Sequence, residues 1–509
     1  MTSVLLFMIA LAAPPSAPDT IVVIPAVMRK TFDPWVQHRQ KQGHTIALVA
    51  NDGSADNLRA RIVAAAPPNA VRNVLLVGDV EFVPTFQLQA KVNVQFGSEP
   101  TIASDNAYGD FDGDGVPEVA VGRLPADSTQ ELGMMVRKII AYENSLDMGE
   151  WRRRVSFIAG VGGFNALADM ALESATKAVL CESIPAAYAT TMTYASWRSP
   201  YCPAPSIFRD STLDRLNEGC LFWIYLGHGR PRYVDSVHVP GGAYPILTCN
   251  DTSQMRATRG APIALFLSCY TGAFDASQDC LAEEMLRTPG GPVAVLCGSR
   301  VTMPYAMAVL GTEMLGEVFD RQQATLGDVL LNAKRNTMLA KRDDPRSRIL
   351  DSVAKLLNPA KTDLADERAE HVLLFNLLGD PLLRLRHPEP AEVVIAGSRK
   401  PTSTLTVRVQ SPVVEGVATV ELVVRRDRLT FAAPKRAEYD ASPSGQNDYQ
   451  AHYERANDTR LASVVVPTRA ETFEVPLVIP AEADGPCHVR VFVRGKDAFA
   501  MGSVDLEIE

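Results

Sequence analysis

Three patterns predict an α/β chain that ends in a β-sandwich. Short β-branched runs alternate with amphipathic stretches over residues 20–145, and the same alternation recurs on a larger scale over residues 150–387. After His387-Pro388 the helical period almost disappears and short alternating strands take over. Apolar strands separated by helices imply a mainly parallel sheet covered on both faces, whereas alternating strands broken by turn residues imply a sandwich.

In the first segment, Thr20–Pro25 reads as a strand and Pro34–Gln42 as a polar helix stopped by Gly43. Thr45–Ala50 is a second strand, and Asn57–Ala66 a helix ended by Pro67-Pro68. Asn73–Val77 is a third strand, closed by Gly78-Asp79, and Glu131–Asn144 a helix leading onward. The second segment holds a strand at Val155–Gly160 and an amphipathic helix at Ala166–Leu180. Three continuous apolar runs follow at Leu221–Leu226, Ile263–Leu267 and Val293–Cys297, then a helix at Thr325–Met338. In the third segment, strands are expected at Glu392–Ile395, Ser403–Val409, Ala418–Val424, Thr472–Val478 and His488–Val493, with a polar insertion at Pro434–Asp458. The expected domains are therefore 18–149, 150–387 and 388–509.

The ends of the chain and its charge narrow the function. An apolar run from Val4 to Ala13, followed by Pro14-Pro-Ser-Ala17, is too short to span a bilayer and has the form of a secretory leader. Residues 1–17 are thus expected to be removed, giving a secreted or cell-envelope protein with no transmembrane span. The net charge of −9, with no long Lys/Arg run, argues against nucleic acid as a partner. The eight cysteines fit neither a disulfide framework nor paired zinc knuckles, which leaves room for a free reactive thiol.

Two of the apolar runs carry the chemistry. One ends in Gly227-His228-Gly229 and the other in Ser268-Cys269. Their separation, 269 − 228 = 41 residues, accommodates one crossover, so the two strands can be neighbours. Doubly wound sheets place their chemistry at the carboxyl ends of strands. An imidazole beside a thiol raises its nucleophilicity, and the N–H groups of Gly229 and Cys269 could stabilise an oxyanion. A serine hydrolase using Ser268 is disfavoured because no G-x-S-x-G elbow surrounds it.

Asp110, Asp112, Asp114 and Glu118 form a second constellation. Carboxylates at alternate positions, with Gly115 allowing a sharp turn, suit a structural calcium ion. Val121 stands at the twelfth position, so this is not a complete EF-hand loop. No redox cofactor is implied.

The apolar-block-His-Gly and apolar-block-Ser-Cys arrangement resembles the caspase-like cysteine peptidases, and specifically the gingipain family. Leu76-Val-Gly-Asp79, Ser104-Asp105-Asn106, Val119-Ala-Val-Gly-Arg123-Leu-Pro, Cys280-Leu-Ala-Glu283 and Gly379-Asp380-Pro381 extend the likeness over most of residues 20–387. The resemblance implies a His228–Cys269 dyad that hydrolyses polypeptides, two caspase-like subdomains, and an immunoglobulin-like domain behind them. It further implies that Asp169 forms the acidic base of the S1 pocket and Tyr305 an aromatic wall, hence a preference for Arg at P1. One departure stands out. The family's acidic support for the histidine falls at the end of the Val155–Gly160 strand, where this chain has Gly160-Val-Gly-Gly163. That gap leaves open a weakly active or inactive relative that serves as a secreted binding or adhesion protein.

Overall fold

The computed structural model describes residues 17–65, 70–161, 183–339, 348, 351, 352, 354 and 363–509. The expected leader and the expected helix over 166–180, with Asp169, therefore lie outside the described residues apart from Ala17.

The centre is one ten-stranded sheet. Its strands are β1 (Thr20–Val23), β2 (Ile46–Val49), β3 (Asn73–Val77), β4 (Ala120–Leu124) and β5 (Arg154–Ala159). They continue with β6 (Ala189–Tyr194), β7 (Phe222–Leu226), β8 (Ile263–Leu267), β9 (Ala294–Gly298) and β10 (Phe375–Leu378). In space the order is β2-β1-β3-β4-β10-β9-β8-β7-β5-β6. All neighbours are parallel except β9 and β10. The two α/β segments expected from the sequence thus share one sheet. The chain returns at the end of the second segment to lay β10 between β4 and β9.

The seam between the halves explains several motifs. Arg123, fully buried on β4, pairs with Asp105 through Nε and Nη2 at 2.7 and 2.8 Å. Its remaining nitrogen donates to the carbonyls of Gly78 and Val83 at 2.9 Å each. Asn106 donates to the Val372 and Leu373 carbonyls just before β10. Gly122 has no room for a side chain, because a β-carbon there would meet the Gly379 carbonyl oxygen at 2.5 Å. Buried Arg39 pairs with Asp380 at 2.6 Å. A buried charge is tolerated only when paired and hydrogen-bonded, so these motifs are braces for the joint between β3, β4 and β10.

Residues 389–509 form a three-stranded antiparallel sheet and a five-stranded sheet that is antiparallel apart from its edge strand Glu389–Pro390, which runs parallel to Phe499–Ile508. Strand Thr404–Gln410 buries every second residue, and Leu405, Val407 and Val409 pack with Val420, Leu422, Val475, Leu477, Val489 and Val491. Beyond the five expected strands the region adds the short edge Glu389–Pro390, Arg460–Thr468 with its internal Pro467, and Phe499–Ile508 with Gly502 and two acids. The polar insertion is likewise more ordered than expected. Pro443–Asn457 is a helix capped by Ser442, and it docks on the α/β body. Tyr453 is hydrogen-bonded to Thr193 at 2.8 Å, and Asn457 accepts from the Met192 N–H at 2.7 Å.

Candidate functional site

Three adjacent parallel strands, β7, β8 and β9, end at one place. The β7–β8 ladder runs in register to Leu226 opposite Leu267, and the Gly227 N–H extends it by donating to the Leu267 carbonyl at 3.3 Å. The next residues on the two strands are His228 and Ser268-Cys269. Gly227, at φ 150°, turns the chain so that His228 comes out exposed. A β-carbon at 227 would lie 2.7 Å from the Tyr225 hydroxyl oxygen. That hydroxyl donates to the His228 carbonyl at 2.8 Å and accepts from the Asp235 N–H at 3.3 Å. The backbone carrying the imidazole is therefore pinned from beneath by a fully buried tyrosine.

Cys269 stands on the neighbouring tip. The Thr271 N–H donates to the Cys269 carbonyl at 2.7 Å, closing a three-residue turn around Tyr270, whose φ is +57°. A bulky side chain rarely adopts that conformation, and here it turns the chain away from the strand direction immediately after Cys269. Its Sγ receives the Thr302 N–H at 3.3 Å and lies 3.6 Å from the Thr302 hydroxyl. Of the seven described cysteines only Cys269 is partly exposed. Burial pushes the thiols of Cys202 and Cys220 up to about 12 and those of Cys249 and Cys487 up to about 11, and it raises Cys280 and Cys297 as well. Those six are held as thiols. Ser268 is fully buried with its hydroxyl 3.2 Å from that of Thr271, which argues against it as a nucleophile.

Gly229 brings the two tips together, since a β-carbon there would stand 2.3 Å from the Cys269 carbonyl oxygen. The Asp235 N–H donates to the His228 carbonyl at 3.2 Å, and Gly229 lies opposite Val234. Antiparallel ladders alternate bonded and non-bonded pairs, so the Gly229 N–H points away from the Val234 strand. The place left empty by Gly160 is also accounted for: Oδ2 of Asp235 lies 3.3 Å from where a β-carbon at 160 would be. Oδ1 accepts from the Ser236 N–H at 2.7 Å and lies 3.8 Å from His238 Nε2.

Tyr305 is half-buried and its hydroxyl is engaged, donating to Asp351 at 2.7 Å and accepting from Arg368 at 2.8 Å. The acidic loop from Asp110 to Glu118 is preorganised. Asp110 accepts from the Gly113 and Gly115 N–H groups at 2.7 and 3.0 Å, and one oxygen from each of Asp110, Asp112, Asp114 and Glu118 lies within 4.8 Å of the others. That spacing fits oxygen ligands around one calcium ion. Asp79, Asp279 and Glu283 form a second cluster, with the Arg287 guanidinium among them 2.7 Å from Asp279. Burial pushes the Glu283 carboxyl up to about 8.

Sequence reasoning did not find Thr302 or Asp235. The third apolar run, Val293–Cys297, has the form of a strand, yet Thr302, the polar residue that reaches the site, lies five positions past the end of that run. Asp235 reaches the space beside Gly160 only because the short ladder after His228 folds back.

Comparison with known proteins supplies the remaining context. The model of peptidase family C25 matches residues 13–386. Among solved structures, the chain is similar to the Arg-specific cysteine proteinase gingipain R, with a TM-score of 0.54 and 16% identity over 97% of this chain and 98% of that one. A complex of the pro- and mature domains of RgpB from Porphyromonas gingivalis gives the same TM-score and identity over 96% of this chain and 100% of that one. No curated protein sequence matches.

Proposed function

Since the chain belongs to peptidase family C25, and is thus a cysteine peptidase of the gingipain family, we propose that it is an endopeptidase in which Cys269 and His228 form the catalytic dyad. The observation that carries this reading is the pairing of an exposed His228 with the one partly exposed described thiol, on the tips of neighbouring strands. His228 takes the Sγ proton as sulfur attacks the peptide carbonyl, and returns a proton to the leaving amine. Water then attacks the thioester, and the sulfur leaves with its proton restored. The N–H groups of Gly229 and Cys269 would stabilise the oxyanion formed in both halves.

A preference for Arg at P1 is supported by the position of Asp169 in the sequence and by the similarity to a protein described as Arg-specific. Tyr305, held by Asp351 and Arg368, would then act as a fixed wall. Calcium would be held by Asp110, Asp112, Asp114 and Glu118 and would stiffen their loop. The leader over residues 1–17 would deliver the enzyme outside the cell, and residues 388–509 would act as an immunoglobulin-like domain.

Substitution of the dyad tests the central claim. Cys269→Ala and His228→Ala should each abolish hydrolysis of a peptide library while leaving circular dichroism unchanged, because members of such a unit fail together. Full activity in a folded Cys269→Ala protein would overturn it. Labelling of Cys269 by an electrophilic peptide separates an enzyme from an inactive binding relative.

A further inference from the structure

The loop that contacts the nucleophilic sulfur is held by a buried histidine. Residues 299–303 leave β9 and run to the helix Pro304–Phe319. Within this stretch the Thr302 N–H donates to Cys269 Sγ at 3.3 Å. The next N–H, that of Met303, donates to Nε2 of His371 at 2.7 Å. His371 lies on the helix Leu364–Leu374 and is completely buried. Its Nδ1 lies 2.8 Å from the Glu367 carbonyl. A carbonyl can only accept, so Nδ1 carries the proton and Nε2 is the bare acceptor that the Met303 N–H requires. Burial lowers the imidazole to about 4, which keeps it in this neutral form at ordinary pH.

The same helix fixes both ends of the loop. The Leu374 carbonyl accepts from the Ser299 N–H at 3.1 Å, and Glu367 accepts from the Ala306 N–H at 3.1 Å. His371 is the only side chain of that helix that binds the backbone next to Thr302 among the described contacts. Without it the Met303 N–H would lose its acceptor against a fully buried side chain, which favours movement of the loop toward another partner. Any such movement carries the adjacent Thr302 N–H away from sulfur.

From this geometry we infer that His371 is a positioning residue for the nucleophile: through the Met303 N–H it sets the Thr302 N–H against Cys269 Sγ. The inference rests on Cys269 being the reactive thiol, but not on the protein cleaving peptides. Its test is the rate of Cys269 alkylation by iodoacetamide, followed by mass spectrometry of the full chain. His371→Leu should slow alkylation about ten-fold or more, and lower kcat by a similar factor with KM changed less than about two-fold. His371→Gln keeps an acceptor near the Nε2 position and should recover most of the lost rate. Folded Leu and Gln variants that alkylate at the wild-type rate, or that are slowed equally, would overturn the inference. Should the Leu variant fail to fold, the wild-type protein still decides. Its selectively 15N-labelled His371 should show the tautomer protonated at Nδ1, and protonation at Nε2 would refute the proposal. A wild-type protein that alkylates at Cys269 yet cleaves no peptide would count against the proposed function alone.

Discussion

Gly229 and Cys269 are packed so closely that a β-carbon on the first would stand 2.3 Å from the carbonyl oxygen of the second and 2.9 Å from Ser268 Oγ. The histidine tip and the cysteine tip therefore meet through bare backbone. Gly229→Ala should force the tips apart, costing about 1–3 kcal/mol of stability as other overpacked sites do. Since a displacement near 1 Å can cost about a hundred-fold in rate, kcat/KM should fall by that order. Thermal melts and peptide kinetics on the purified variant check both, and an Ala variant of wild-type activity would show that the tips need not touch.

Asp235 occupies the space beside Gly160, 3.3 Å from the missing β-carbon, and its backbone N–H holds the His228 carbonyl. Asp235→Asn retains the shape and the backbone N–H but removes the negative charge from the turn whose backbone holds His228. We expect kcat to drop about ten-fold, with a smaller change in KM and an unchanged melting temperature. Steady-state kinetics across pH would show it, and an Asn variant with an unaltered kcat would confine Asp235 to a backbone role.

The parts of this protein that were legible in the sequence are those written locally. Leu221–Leu226 and Ile263–Leu267 announce buried strands because five or six consecutive apolar residues have no other short solution, and His228 and Cys269 follow them directly. The convergence of the four carboxylates in the Asp110–Glu118 loop is legible for the same reason, since they lie within nine positions of one another. What escaped depends on closure over long distances. β10 completes the sheet from a position 251 residues after β4 (375 − 124), and pairs antiparallel to β9. Thr302 and His371 act at the site from segments that carry no motif. The helix Pro443–Asn457 buries Tyr449 and Tyr453 within a polar stretch, so its apolar face is too narrow to stand out.

His371 also predicts an acid limit to stability. Its value falls from the ordinary 6.5 to about 4 in the folded protein because burial disfavours the cation. Between those values the unfolded chain binds the extra proton, so stability rises with pH through that window and is lost as pH falls from about 6.5 to about 4. At 1.36 kcal/mol per unit, the loss from this one residue approaches about 3 kcal/mol. Urea midpoints measured from pH 7 to pH 4 should fall steeply in the wild type and less steeply in His371→Gln. Parallel curves would show that other groups govern the acid limit.

Calcium should stabilise the protein, and the loop geometry says which variant tests this cleanly. Asp110 serves two purposes, because its carboxylate already accepts from the Gly113 and Gly115 N–H groups. Asp110→Ala would therefore damage the loop with or without the ion. Asp112 is exposed and accepts only from the Asp114 N–H, at 3.1 Å, among the described contacts. Asp112→Asn keeps that acceptor and removes one unit of ligand charge, so its effect should appear only when calcium is present. A ligand that binds the native state alone, at a hundred times its Kd, adds about 2.7 kcal/mol. For a protein of this size that amounts to a rise of about 2–3 degrees in the melting temperature. The wild type should gain that rise in millimolar calcium and lose it in EDTA, Asp112→Asn should gain much less, and both should melt alike in EDTA. Equal melting of the wild type in calcium and in EDTA would remove calcium from the account of this loop.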